Sequence, residues 1–406
     1  MTDTLRPVVT EPAGTGAPLT TLLPAIVAGF LAVLVSFAGP LAIFYQAAQA
    51  AGVDAATFAS WVWSIAIGAG VAGIWLSVRY RVPVITAWSA PGTALLITLF
   101  PALSVAEAIG AYITAAAILL VLGLTGGVDR IMRHIPQGVA AGMMAGILLP
   151  FGLNAFRGVG SLPAVAIGMI AAWLFCRRML PRYTVVAVLA AGIALALGTG
   201  RTDFGHVAFA LAIPRPVAPE WSVGSTFSLA LPLVLVTLTG QYLPGMALLK
   251  ASGYGLPARP VMVANSVVSL LVAATGGITI AIAAITAAMC TGPDAHEDPG
   301  KRYMAGVANG VFYLLAGLCA GSIVALFAAL PKELVATVAG LALLGPIGAN
   351  LGAMMAARER EAALITFIAT ASGMTFLGLG SAFWGIAIGI AAHCLLTREQ
   401  GAPTPG

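Results

Sequence analysis

The stretch PVITAWSAPGTALL, from Pro83 to Leu96, lies inside a long apolar region and decides the fold class. Its first residues favour an extended strand, whereas Ser89 is a good helix cap and Pro91 suits a first helical turn. Lipid cannot hydrogen-bond free backbone groups, so an ordinary membrane span is one continuous helix. The stretch therefore predicts a strand and a half-helix, covered by protein or by a water-filled cavity. The alternative is a continuous helix that the proline kinks.

The composition predicts an all-α, polytopic membrane protein. Of the 406 residues, 60% are hydrophobic and only 8% are charged. Apolar runs of about 20 residues recur between residues 20 and 397, the length that a membrane span needs. Residues 1–19 are polar and rich in Pro and Gly, which predicts a disordered tail.

The reactive side chains form none of the usual catalytic patterns. The four cysteines have neither paired nor metal-ligand spacing, and we find no Ser/His/Asp set, paired carboxylates or nucleotide-binding loop. We therefore expect no enzyme, no metal, no cofactor and no nucleic-acid partner. The expected partners are the lipid bilayer and a small molecule.

The apolar runs predict fourteen membrane segments with a consistent orientation. If the N-terminus is cytoplasmic, every Lys and Arg lies inside except Arg157, Arg201, Arg215 and Lys332. The charges therefore predict a bacterial-type inner-membrane protein with both termini in the cytoplasm. The segments are 20–49, 54–79, 83–101, 104–127, 135–156, 159–180, 183–199, 226–251, 258–273, 275–292, 302–328, 331–357, 360–378 and 380–397.

The two halves of the chain resemble each other. VLVSFAG at 33–39 matches VLVTLTG at 234–240, and LGLTGG at 122–127 matches AGLCAG at 316–321. LLPFGLN at 148–154 matches LLGPIGAN at 343–350 with one insertion. Seven segments per half is an odd number, so the second half is inverted, which is typical of transporters. We predict a first repeat at 20–200, an external connector at 201–225 and a second repeat at 226–397.

Segments 3 and 10 are the matching broken pair in this repeat. Thr86 aligns with Thr279 in GGITIAIAAITAAM, which starts at Gly276. Two half-helix N-termini near the midplane would offer free N–H groups and partial positive charge to an anion. Gln241 lies beside a Pro-Gly break in segment 8 and either binds substrate or bridges two helices. The candidate substrate residues are Thr86, Trp88, Ser89, Gly92, Gln241, Tyr242, Gly277, Ile278 and Thr279.

The predicted cytoplasmic loop CTGPDAHEDPGKRY, at 290–303, is the second candidate region. Asp294, His296, Glu297 and Asp298 cluster there. These residues either belong to a solvated loop whose acidic side chains cap helices, or bind and release the coupled proton. Since no carboxylate falls near a predicted midplane, a coupled proton travels either through this loop or on the substrate. Half-helix ends that favour an anion lower the pKa of a bound acid, which favours the loop route.

Three segments, ITAWSAPGTALL, GQYLPGMALLKASGY and CTGPDAHEDPGKRY, resemble the signature segments of the benzoate–proton symporter family. The resemblance covers residues 20–397. It implies an architecture similar to nucleobase permeases and sulfate transporters. Segments 1–4 and 8–11 would form a core domain, and segments 5–7 and 12–14 a gate domain. The nucleobase relatives carry glutamates in segments 8 and 10, where this chain has Gln241 and the Ile278–Thr279 region.

The resemblance implies a secondary active transporter that imports benzoate, or a similar aromatic carboxylate, with a proton by alternating access. Replacing the relatives' glutamates by uncharged groups suits a carboxylate, which a glutamate would repel. The alternatives are a transporter of nucleobases or other small organic anions, and an anion channel. Whether the protein forms a homodimer stays open.

Overall fold

A computed structural model describes residues 19–100, 102–127, 136–181, 183–202, 204–205 and 209–399. Apart from its last residue, the predicted N-terminal tail lies outside the described residues. The described elements are α1 Leu19–Ala38, α2 Pro40–Ala51, α3 Ala55–Tyr80, β1 Thr86–Trp88, α4 Ala90–Leu99, α5 Val105–Thr125, α6 Gln137–Ser161, α7 Pro163–Met179, α8 Thr184–Gly198, α9 Val223–Ala251, α10 Ala258–Ala273, β2 Ile280–Ile282, α11 Ala284–Thr291, α12 Tyr303–Leu318, α13 Ala320–Ala328, α14 Lys332–Ala356, α15 Arg360–Ala371 and α16 Ser381–Glu399.

The fold is helical, with several helices that suit a bilayer. Within the described residues, six helices are long and apolar enough to cross a membrane, counting α1 and α2 as one. The pair α12 and α13 bends by 69° and would make a seventh. The remaining elements are shorter, so the total of fourteen segments and the inverted repeat stay predictions.

Segments 3 and 10 each contain the predicted strand and half-helix. β1 and β2 pair antiparallel, with Thr86 opposite Ile282 and Trp88 opposite Ile280. The Ser89 N–H donates to the Thr279 carbonyl at 2.9 Å and closes one end of this ribbon. At the other end, the Ala283 N–H donates to the Ile85 carbonyl at 2.9 Å. The two unwound segments thus satisfy the backbone groups that face each other, which lowers the cost of placing them in an apolar interior.

The strands of the two segments are offset by one residue in the internal alignment, since β1 begins at Thr86, which aligns with Thr279, and β2 begins at Ile280. One sequence prediction needs a correction. The expected Pro-Gly break beside Gln241 is wrong, since α9 continues through it as a helix. A π-helical turn at Leu238–Tyr242 lets the helix pass Pro244, and the Leu243 N–H bonds to the Leu238 carbonyl.

The helices pack in two groups around the ribbon. α3 packs against α10, α12 and α13, and α1 packs against α11 and α12. In the second group, α6 packs against α14 and α15, α15 against α16, and α7 against α8. The groups are joined where α4 and α9 contact α6, where α2 contacts α14, and where α1 contacts α8. The division into core and gate domains stays a prediction.

An extended stretch at 209–222 ties several helix ends together. The Ala212, Val217 and Glu220 N–H groups donate to carbonyls of Leu318, Ala274 and Ala106 at 2.8–3.0 Å. Each of these acceptors lies at an end of α12, α10 or α5. This stretch therefore holds together helices that are far apart in the sequence.

An ion pair adds to this contact at the start of α3. Arg215 lies 3.1 Å from Asp54, whose carboxylate also caps α3 by accepting from the Thr57 N–H. Hydrogen bonds from Thr57 lower the pKa of Asp54, and the Arg215 charge lowers it further. Both charged side chains are exposed, so the pair contributes little to stability.

We predict that Gly245→Ala destabilises the protein by roughly 1–3 kcal/mol, because overpacking forces backbone or side-chain shifts. A Cβ at Gly245 would collide with Ile282 of β2. The measurement is the melting temperature in detergent, which we expect to fall.

Gly348→Ala is the matched control inside α14, where a Cβ meets open space. Alanine favours a helix by about 1 kcal/mol over glycine, so this variant should be neutral or slightly stabilised. Equal melting temperatures for the two variants would contradict the close contact between α9 and the ribbon.

Candidate functional site

The N-terminus of α4 is capped by its own sequence. The Ser89 Oγ accepts from the Gly92 N–H at 3.1 Å, and the Ser89 carbonyl accepts from the Thr93 N–H at 2.8 Å. Pro91 has no N–H to offer. In the described part of the chain, the Ala90 N–H is therefore the first-turn donor of α4 that has no hydrogen-bond acceptor.

The N-terminus of α11 is open by comparison. Ala283 occupies the cap position and has no side chain that can accept a hydrogen bond. Among the described residues, the N–H groups of Ala284 and Thr286 have no acceptor. The two predicted half-helix ends therefore differ, because only α4 begins with a capping residue.

The antiparallel ribbon sets the distance between these ends. Each helix follows its own strand directly, so the two N-termini point toward the ribbon from opposite ends. Ser89 lies four residues after Ile85, the hydrogen-bond partner of Ala283, and four residues correspond to about 13 Å at the usual rise of a strand. A single carboxyl group therefore cannot contact the backbone at both ends.

Gln241 lies beside the α4 end. Its Nε2 donates to the Trp88 carbonyl at 3.3 Å. A carbonyl oxygen only accepts, so this contact fixes which amide atom faces the ribbon. The Oε1 atom is buried and has no hydrogen-bond partner among the described residues. Gln241 thus bridges two elements with its donor and keeps an unused acceptor.

Three aromatic rings form a cluster beside the ribbon. The Trp88 ring lies 5.9 Å from the Phe37 ring and 6.3 Å from the Tyr313 ring, both edge to face. Phe37 and Tyr313 are 6.0 Å apart. The Trp88 Nε1 and the Tyr313 hydroxyl are buried without hydrogen bonds in the described structure. This cluster is an apolar surface with two unused polar atoms.

Other predicted residues lie around the ribbon in different roles. The Thr86 hydroxyl donates to the Ala69 carbonyl at 2.6 Å and so faces α3. Gly277 and Ile278 precede β2, where Ile278 is fully buried and the Gly277 N–H bonds to the Val272 carbonyl. The Thr279 hydroxyl is buried without a partner in the described structure. Thr279 therefore keeps a free polar group, whereas Thr86 does not.

Sequence reasoning missed a polar group on α10. Tyr242 is buried, and its hydroxyl lies beside the Asn265 side chain. Asn265 and Ser266 are buried, with side-chain atoms that lack hydrogen bonds in the described structure. The Ser269 Oγ accepts from the Ile280 N–H at 2.8 Å and fixes the start of β2. An uncharged polar run inside an apolar segment is the signal that would have found them.

The loop at 290–303 is held by its own side chains. The His296 Nδ1 accepts from the Asp298 N–H at 3.0 Å, and the Asp298 carboxylate accepts from the Gly300 N–H at 2.8 Å. Arg302 donates to the carbonyls of His296 and Thr291 at 2.7 and 3.0 Å, and to that of Glu297 at 3.3 Å. A cation at the end of α11 also complements the helix dipole. These contacts stabilise the loop, and a proton-handling role stays a prediction.

A cleft of about 320 Å³ opens between α1 and α11. Leu23, Val27 and Leu31 supply one wall, and Met289 of α11 contributes to the other. Tyr183 and Asp294 also line it, so the candidate loop borders the cleft. The predicted orientation places this opening on the cytoplasmic side.

Comparison with known sequences decides the family. The family model "Benzoate membrane transport protein" matches residues 20–395. The chain belongs to this family. It is 55% identical over 381 residues to the benzoate membrane transport protein of Acinetobacter baylyi, covering 94% of this chain and 97% of that one. It is 42% identical over 374 residues to the inner membrane protein YdcO of Escherichia coli, covering 92% and 96%.

The family is one of membrane transport proteins and not of enzymes, as the sequence predicts. The fold also resembles solved transporter structures. SLC26A9 matches with a TM-score of 0.63 at 15% identity, over 94% of this chain and 68% of that one. The transmembrane domain of the cyanobacterial bicarbonate transporter BicA matches at 0.56 and 14% identity, over 93% and 97%. At such identities the likeness concerns the fold alone.

We predict that Thr86→Val lowers the melting temperature, because it removes the hydrogen bond that the Thr86 hydroxyl donates to the Ala69 carbonyl. The expected cost is about 0.5–1.5 kcal/mol. Thr279→Val is the matched variant, whose hydroxyl makes no hydrogen bond in the described structure. We expect it to leave the melting temperature unchanged, and an equal loss in both variants would contradict these different roles.

Proposed function

We propose that this protein imports benzoate, or a similar aromatic carboxylate, together with a proton by alternating access. The observation that carries the proposal is the pair of half-helix N-termini facing a shared ribbon. These ends supply the unpaired N–H groups of Ala90 and of the first turn of α11. Backbone donors at helix N-termini bind carboxyl oxygens without any charged side chain.

The surroundings of the ribbon fit an aromatic substrate. Phe37, Trp88 and Tyr313 offer ring edges and faces, which pack well against another ring. The benzoate membrane transport family, and the relative in Acinetobacter baylyi that carries this name, support the same substrate class. The relative that is named an inner membrane protein supports the same location for this chain.

Alternating access is supported by the packing of the helices. Two groups of helices meet at α4 and α9, which flank the ribbon, and also where α2 packs against α14 and α1 against α8. We propose that they are the core and gate domains of a fourteen-segment inverted repeat, and that one moves against the other. The cleft beside α11 would then be the path to the cytoplasm.

Proton coupling is supported by the energetics of importing an anion. Moving one negative charge into a negative cell interior costs roughly 2.3 kcal/mol per 100 mV. One proton per carboxylate removes this cost and adds the pH gradient as a driving force. An anion channel, the alternative function, has no such coupling.

The test is uptake of labelled benzoate into proteoliposomes with an acidic exterior. We expect accumulation above the external concentration, which collapses when a protonophore removes the gradient. Empty liposomes under the same gradient are the essential control, because neutral benzoic acid crosses lipid unaided. Uptake that stops at equal concentrations after subtraction of this control would indicate a channel. Absence of any protein-dependent benzoate flux would overturn the proposed substrate.

A further inference from the structure

The α4 end of the ribbon offers one hydrogen-bond donor and one acceptor. The donor is the Ala90 N–H, since the Gly92 and Thr93 N–H groups already donate hydrogen bonds to Ser89. The acceptor is the buried Oε1 of Gln241, whose amide is anchored on the Trp88 carbonyl, two residues before Ala90. An unsatisfied buried acceptor of this kind calls for a donor from a ligand or a water molecule.

The charged residues of the described helices that pack around this end lie near helix ends: Arg79 in α3, Arg157 in α6, Lys250 in α9 and Arg259 in α10. Within the described chain, α1, α4, α11, α12 and both strands contain no Lys, Arg, His, Asp or Glu. Lys250 is the one charged residue of α9, nine positions after Gln241 in the sequence. A carboxylate bound here would be unpaired in an apolar region, where a group tends to become neutral instead.

A protonated carboxyl group matches this arrangement, whereas a carboxylate does not. The neutral acid has one O–H that donates and one carbonyl oxygen that accepts. A carboxylate only accepts, so its oxygens would repel the Gln241 Oε1. The α11 end presents donors alone and suits the ionised form.

We propose that the α4 end binds the substrate as the neutral acid, so that the coupled proton travels on the substrate. The acid donates its O–H to the Gln241 Oε1 and accepts from the Ala90 N–H. The proton comes from the external water and returns to water on the cytoplasmic side. The proposal rests on the function proposed above and makes Gln241 the residue that selects the protonated form.

The first experiment measures binding of three ring compounds to the purified protein. Benzoate binding should strengthen about tenfold for each unit by which the pH falls, because the neutral fraction rises tenfold above a pKa near 4. Benzamide has the same donor and acceptor pattern at every pH, so it should bind with constant affinity. Benzenesulfonate stays an anion and should not compete.

Two variants of Gln241 test the acceptor. Gln241→Leu should weaken benzamide and benzoate binding about tenfold, the value of one hydrogen bond. Gln241→Glu should keep benzamide binding, because a carboxyl group on the Trp88 carbonyl stays protonated and presents its other oxygen as an acceptor. Gln46→Leu is the control, since the Gln46 Nε2 bonds to Ala42 within α2. It should bind like the parent protein.

The possible results distinguish failure of this inference from failure of the proposed function. If benzoate binding is independent of pH and benzenesulfonate competes equally, the protein binds the anion and the inference is wrong, although the proposed function stands. If His296→Ala loses accumulation on a pH gradient but keeps benzoate exchange, the proton passes through the loop and the inference is also wrong. If none of the three compounds binds at any pH, the proposed function fails and the inference with it.

Discussion

The backbone pairing between β1 and β2 is the constraint on which the rest of the structure depends. Two chain segments are unwound inside an apolar region, where each unpaired N–H or carbonyl costs several kcal/mol. Their ladder and the flanking bonds at Ser89 and Ala283 satisfy the groups that face the partner strand. An isolated two-stranded ribbon is only marginally stable, so the helices around it must cover both strands. The pairing also joins residues about two hundred positions apart, which ties the two halves of the chain into one body.

Glycine residues in the surrounding helices allow these helices to pack closely over the two strands. At Gly73 of α3, a Cβ would crowd the Thr86 hydroxyl, which reaches past the glycine to the Ala69 carbonyl. At Gly245 of α9, a Cβ would collide with Ile282 on β2. Helices in lipid associate through such close contacts, because burial of apolar surface gives them little advantage there. The 48 glycines of the chain are consistent with this mode of packing.

The sequence predicted the features that local chemistry decides. A capping serine before Pro91 located the start of α4, since capping is a matter of neighbouring residues. The start of β2 could not be predicted in this way, because strand pairing and the Ser269 hydroxyl of another helix set it. The orientation of the Gln241 amide could not be predicted from the sequence either, because it depends on the Trp88 carbonyl of another segment. Candidate residues were thus identified, but not the difference between the two half-helix ends.

The described strands and half-helices, β1, β2, α4 and α11, carry no charged side chain, and this has an energetic consequence. At pH 7 a carboxylic acid with a pKa near 4 is neutral in about one molecule per thousand, so binding that form costs about 4 kcal/mol. Burying an unpaired carboxylate costs several kcal/mol even after relaxation, so the neutral form is competitive in an uncharged site. A glutamate at Gln241 would add a proton site to the protein, whereas an amide leaves the substrate as the titrating group. The dependence of transport on external pH would then follow from the acidity of the substrate, and stronger acids would be poorer substrates at the same ring size.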